Sequence, residues 1–117
     1  MMSTDIALVP PAALAALRAK AALADIPTWR PDEGETIEGI LYGHRQTQNP
    51  FGQMQHQALV QTFDGRITAV WLSVWMIAQL KAQSADMGDL ASITYHGMGR
   101  SQRGTSYGRY SLTTLKP

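Results

Sequence analysis

Apolar positions change period near residue 30, and that change divides the chain. Before it, "PPAALAALRAKAALAD" places Leu14, Leu17 and Ala21 on one side of a helical wheel. Pro11 suits a first helical position, alanine is the strongest helix former, and Pro27 stops the run. The pattern predicts a helix of about 12–15 residues that docks weakly on another surface. "IPTWRPDEGE" reads as a linker with an acidic turn, in which Trp29 either anchors on the main fold, the favoured reading, or faces a partner. Beyond it the periodicity is that of strands. "TIEGILYGHRQT", "MQHQALVQTF" and "RITAVWLS" are three predicted strands, with turn chemistry in "NPFGQ" and a type I′ hairpin expected at Asp64-Gly65. Gly39 and Gly43 mark a bulge or sharp bend in the first strand, which leaves the facing of Tyr42 open. Ser73 caps a predicted helix over 74–86 with Ile77, Leu80 and either Val74 or Met76 inward, ended by Gly88. "DLASITYHG" alternates Ala91, Ile93 and Tyr95 against Ser92, Thr94 and His96. A glycine-rich loop and the strand "YGRYSLTTL" complete the chain.

The order is helix, then β-β-β-α-β-β. Three antiparallel strands, a helix between the third and fourth, and a closing hairpin are the element order of the OB-fold, a five-stranded Greek-key barrel. The fold class is therefore all-β with accessory helices: an amino-terminal helix and linker over 1–33 and an OB-fold domain over 34–117. A ferredoxin-like plan needs a helix between the first two strands, and "RQTQNPFGQ" is too short and turn-rich to supply one. Composition agrees with the division. Nine of the fifteen alanines lie in the first 33 residues, and all ten glycines lie from Gly34 onward.

Certain residues carry a resemblance. "GETIEGILYG", "GQMQHQALVQTFDGRITAVWLSVWMIAQL" and "MGDLASITYHG" resemble small OB-fold, single-stranded-DNA-binding-like proteins of bacteriophages and mobile elements. The shared features, over about residues 34–112, are a Gly-Glu opening, a glycine in the first strand, an Asp-Gly hairpin, a Val-Trp-Leu-Ser strand-to-helix junction and a Gly-Asp before the fourth strand. The resemblance implies the OB-fold and single-stranded DNA binding. It brings no catalytic signature.

Net charge is +1, but its distribution is uneven. Residues 1–38 hold six acids and three bases, whereas 39–117 hold three acids and seven bases. The windows 39–63 and 90–117 contain no acid at all. In an OB-fold these windows supply the two loops that flank the oligonucleotide-binding face, which predicts one cationic groove with Arg45 near Arg100 and Arg103. Arg100, Arg103 and Arg109 are suited to phosphate, and Phe51, Tyr107 and Tyr110 offer rings for unstacked bases. Gln46, Gln48, Gln53, Gln55 and Gln57 are candidates for base edges or sugars. The glycines allow the loop to close over a ligand, at an ordering cost. Trp71, Trp75 and Tyr95 are assigned to packing, because large aromatics dominate cores.

Other classes of function find little support. His44, His56 and His96 match no zinc spacing, so neither metal nor cofactor is expected, although the rings would reinforce a cationic groove if protonated. The chain lacks cysteine and shows no P-loop, GxSxG, HExxH or kinase signature, and an enzyme is not expected. No apolar run is long enough for a membrane span, and "MMSTDIALVPPAALAAL" has no cationic start, so a cytoplasmic protein without membrane attachment is expected. The leading expectation is non-catalytic binding of single-stranded nucleic acid, DNA favoured, with a homo-oligomer through the amino-terminal helix as an option. The alternative is an OB-fold adaptor for protein partners or a self-assembling structural subunit.

Overall fold

The computed structural model describes residues 10–117. Its elements are α1 (Pro11–Ala24), β1 (Thr36–Gln48), β2 (Met54–Thr62), β3 (Ile67–Trp71), α2 (Val74–Ala82), β4 (Leu90–Arg100) and β5 (Ser106–Leu115). The five strands form one antiparallel sheet in the order β3-β2-β1-β4-β5. The fold is thus mostly β with two helices. The first nine residues, which open the stretch read above for an export signal, lie outside the described part.

β1 serves two neighbours in turn. Thr36–Ile40 pair with β4, and Gly39–Gln48 pair with β2. The handover falls on Gly39, where a Cβ would sit 2.2 Å from the carbonyl oxygen of Gln61, so only glycine fits. The register shifts between Leu41 and Gly43, which is the bulge foreseen there, and it leaves Tyr42 exposed. Inside the curved sheet Ile37, Leu41, Val60, Val70, Ile93 and Leu112 form the core. Ser73 caps α2 by accepting from the Met76 N–H, and Met76, not Val74, is the fully buried residue of the first turn. Ile77 and Leu80 pack beside it.

Both edges of the sheet are covered in part by pieces that are not strands. On β3, Ala69 donates to the Pro27 carbonyl at 2.8 Å and accepts from the Trp29 N–H at 2.7 Å. The linker therefore anchors on the main fold, with Trp29 against the core. On β5, the Gln83 amide imitates a neighbouring strand. Its Nε2 donates to the Leu112 carbonyl at 2.8 Å, and its Oε1 accepts from the Thr114 N–H at 2.7 Å. These contacts occupy backbone groups that an open edge would offer to another chain. The Trp29 and Tyr110 rings, 6.4 Å apart between centroids, bring the two edges of the sheet to a common seam.

Four local expectations are corrected. The Asp64-Gly65 hairpin is not type I′: Gly65 has φ +87°, but Asp64 is not left-handed. The Asp64 carboxylate instead accepts from the Thr62 hydroxyl and the Arg66 N–H, giving a longer loop closed by Thr62 N–H to Arg66 carbonyl at 2.8 Å. Those bonds, the Thr62 hydroxyl first, hold the carboxyl below its ordinary value. α2 stops at Ala82, because Gln83 turns to β5 and Ser84 adopts φ +51°. Gly88 serves the next turn, donating to the Leu41 carbonyl at 2.7 Å. The glycine-rich loop shrinks to Ser101–Thr105, a tight turn closed by Ser101 N–H to Thr105 carbonyl at 2.9 Å, so Arg100 and Arg109 belong to strands. Finally, α1 is a helix as expected but does not bury its leucine face, since Leu17 is 63% exposed.

The carboxyl-terminal end is tied down by charge. Lys116 Nζ lies 2.8 Å from the nearly buried carboxylate of Asp89 and 3.1 Å from that of Asp86. The lysine bond, and then the Asp86 N–H, lower the Asp89 pKa from 3.8; the Asp89 carboxylate, and then that of Asp86, raise the Lys116 pKa from 10.5. A lowered folded-state carboxyl stabilises the fold above pH 3.8 and loses that contribution as pH falls through the folded value. The lysine's share persists below pH 10.5 and is lost as pH rises through its higher folded value.

Two outcomes follow. Lys116→Met is expected to lower the urea midpoint at neutral pH and to flatten its fall on acidification through pH 3.8; an unchanged acid limb would disprove the tie. Gly39→Ala is expected to destabilise by at least about 1–3 kcal/mol, because the obstacle is backbone rather than a mobile side chain. Chemical denaturation compares it with Gly34→Ala, whose Cβ meets nothing within 4 Å, leaving only the cost of φ +89°.

Candidate nucleic-acid interface

The seam between the sheet edges opens into a groove. Its central part, about 350 Å³, is lined by Trp71, Trp75, Tyr95, Met98, Tyr107 and Tyr110, with Gln55 and Ser73 among the polar residues. Toward β5 it continues into a recess of about 290 Å³ that shares Trp75, Tyr107 and Tyr110 and adds Arg109. Toward the β1–β2 hairpin it continues past Gln55 and Ser73 into one of about 370 Å³ bounded by Asn49, Gln53, His56 and Val74. No Asp or Glu lines any of the three. Both acid-free windows therefore contribute walls, with the β3–α2 junction between them.

Strand pairing explains the aromatic wall. Tyr95 and Tyr110 are register partners on β4 and β5, so their rings share a face at 5.1 Å between centroids. Burial, and secondarily the neighbouring Tyr95, raises the Tyr110 pKa above 10.0, which keeps the phenol neutral and able to donate. Gly99 and Gly108 give these side chains room: a Cβ would lie 2.9 Å from Arg109 Cδ at Gly99 and 2.9 Å from Tyr110 Cε2 at Gly108. Arg109 lies across the ribbon, its Nη2 donating to the His96 carbonyl at 2.8 Å. Trp75 comes from the first turn of α2, a helix end that carries partial positive charge.

The residues singled out from sequence divide into three groups. Tyr107, Arg109 and Tyr110 line one recess of the groove together. Arg45 stands in one cross-strand row with Gln57 and Trp71, two strand spacings or about 10 Å from the latter. Its Nε donates to buried Gln57 Oε1 at 2.7 Å, which gives it a structural tie in addition to its charge. Phe51, 88% exposed, occupies the turn between β1 and β2, while Arg100 ends β4 and Arg103 sits in the β4–β5 turn. These three are exposed, and neither they nor Arg45 line any of the recesses.

Sequence reasoning assigned Trp75 to packing, whereas it is 46% exposed and borders two recesses, and it passed over Met98. The signal for Trp75 was available: once Met76 and Leu80 occupy the buried face, a tryptophan one residue earlier falls about 100° away from it. Trp71 and Tyr95 are half-buried, serving packing and groove wall together.

His44 and His56 stack at 4.9 Å, with Nε2 of the first 2.8 Å from Nδ1 of the second, so one ring donates and the other accepts. Among the described residues no group of three or more His, Cys, Asp or Glu is placed to hold a metal ion. Among them, too, no helix is long and apolar enough to cross a membrane.

No protein-family model, no curated protein and no solved structure matches this chain.

If the row across β1, β2 and β3 holds Arg45 as described, a double-mutant cycle on Arg45→Ala and Gln57→Ala is expected to show coupling of about 1.5 kcal/mol or more, the range for a hydrogen bond to a charged group. Additive losses in denaturant unfolding would show the bond to be energetically idle.

Proposed function

We propose that the chain is a non-catalytic binder of single-stranded DNA built on an OB-type barrel. The strand order β3-β2-β1-β4-β5, the helix between β3 and β4, and the contact of the β3-bound linker with β5 through Trp29 and Tyr110 support that fold. The observation that carries the function is the continuous aromatic groove without a carboxylate along its walls.

A single strand presents what such a groove accepts. Its bases are unstacked and have flat apolar faces, for which Trp75 and Tyr107, each about half exposed, are platforms. Gln55 and Ser73 offer hydrogen bonds to base edges or sugar without demanding one sequence. Arg109 stands at one end, and Arg100 and Arg103 extend the positive charge along the β4–β5 ribbon, where a backbone leaving the groove would meet them. Duplex DNA offers no such ring faces. The preference for DNA, and a place in phage or plasmid DNA metabolism, rest on the resemblance of residues 34–112.

Fluorescence anisotropy with labelled oligo-dT tests this reading. Trp75→Ala and Tyr107→Ala are each expected to cost roughly 1–3 kcal/mol, the range for loss of one stacked base. Arg100→Glu and Arg103→Glu are expected to weaken binding and flatten its salt dependence by about 0.7 per lost phosphate contact. Arg18→Glu on α1 is expected to leave affinity unchanged. Unchanged anisotropy at micromolar protein in low salt would overturn the reading.

A further inference from the structure

A second apolar surface lies away from the groove. On the outer side of β1, β4 and β5, Phe63, Leu90 and Leu115 surround a recess of about 200 Å³. Register puts Leu90 directly beside Leu115, and Glu38 beside Ser92, in neighbouring rows of that face. Phe63 is 73% exposed and Leu115 65%, although both are large and apolar. Glu38 is the one charged residue lining the recess, and no cation does so. None of these residues borders the groove.

α1 has the complementary properties. Its 14 residues include Arg18 and Lys20 and no acid, and Lys20 follows Leu17 by one turn on the same side. Every side chain from Pro11 to Ala21 except Leu14 is exposed. A short alanine-rich helix in water is marginal without a surface to pack on. Thr28, fixed on β3, holds the helix beside the barrel but does not lay it down on its own chain.

We infer that the leucine face of α1 docks in the Phe63–Leu90–Leu115 recess of a second copy of this chain, with the helix cations toward Glu38. Two copies that exchange helices mutually form a closed dimer, and exchange in one direction forms a longer array. Either arrangement leaves the groove of each copy open. The inference stands apart from the DNA-binding reading, since the two surfaces share no residue.

Sedimentation of the full chain tests it, using Leu17→Asp and Leu115→Asp. Both positions are exposed, so both variants are expected to keep the wild-type circular dichroism spectrum. The wild type is expected to sediment as two or more chains, and each variant as one. A one-chain mass for the wild type up to about 100 μM would overturn the inference, since mass action favours assembly there. Dissociation by Leu17→Asp alone would mean that helices pair with helices, and by Leu115→Asp alone that recess pairs with recess. Each of those results also overturns it. The oligo-dT titration is read separately, with affinity per binding groove expected to match in both variants whatever their mass.

Discussion

A five-stranded sheet has two outer strands whose backbone groups lack a neighbouring strand, and in this protein that constraint shapes the region near the groove. Each edge is covered over part of its length: the linker at Pro27–Trp29 bonds Ala69 of β3, and a single glutamine side chain bonds Leu112 and Thr114 of β5. Trp29 then fills the space where the edges approach, against Tyr110. The groove begins where that filling ends. Its rings are thus a continuation of the core toward the surface, which is why Trp71, Tyr95 and Tyr110 are half-buried rather than displayed.

Much of the architecture could be read from residues whose chemistry is local. Pro11 and Ser73 start helices where their geometry demands it, and Gly39 and Gly43 stand where β1 changes neighbours and bulges. Alternation identified the inner face of β4. Signals that depend on a side chain's choice of partner were less legible. Asp64-Gly65 announced a hairpin but not its length, since that was settled by a carboxylate bonding Thr62 and Arg66. Nothing in "KAQSAD" announces that Gln83 reaches a strand about thirty residues later.

The site shows the same division. Both acid-free windows contribute residues to the groove walls, but of the cations expected to gather there Arg45, Arg100 and Arg103 line none of its recesses and Arg109 alone does. Individual arginines were harder to assign. Arg45 joins a hydrogen-bonded row, whereas Arg100 and Arg103 extend outward on a ribbon. Gly99 reads as loop punctuation, yet it lies within β4, where it clears space for Arg109 as Gly108 on β5 does for Tyr110.

The turns between β1 and β2 and between β4 and β5 are cross-braced, the first by Asn49 Oδ1 accepting from the Phe51 and Gln53 N–H groups, the second by Ser101 Oγ accepting from the Thr105 N–H. Braced turns remove the freedom that a flapping loop would surrender on ligand capture. Whatever occupies the trough must therefore bend to it, and the entropy of that adjustment falls on the guest rather than the host. A floppy polymer bears such a demand over many small rotations; a stiff rod bears it all at once.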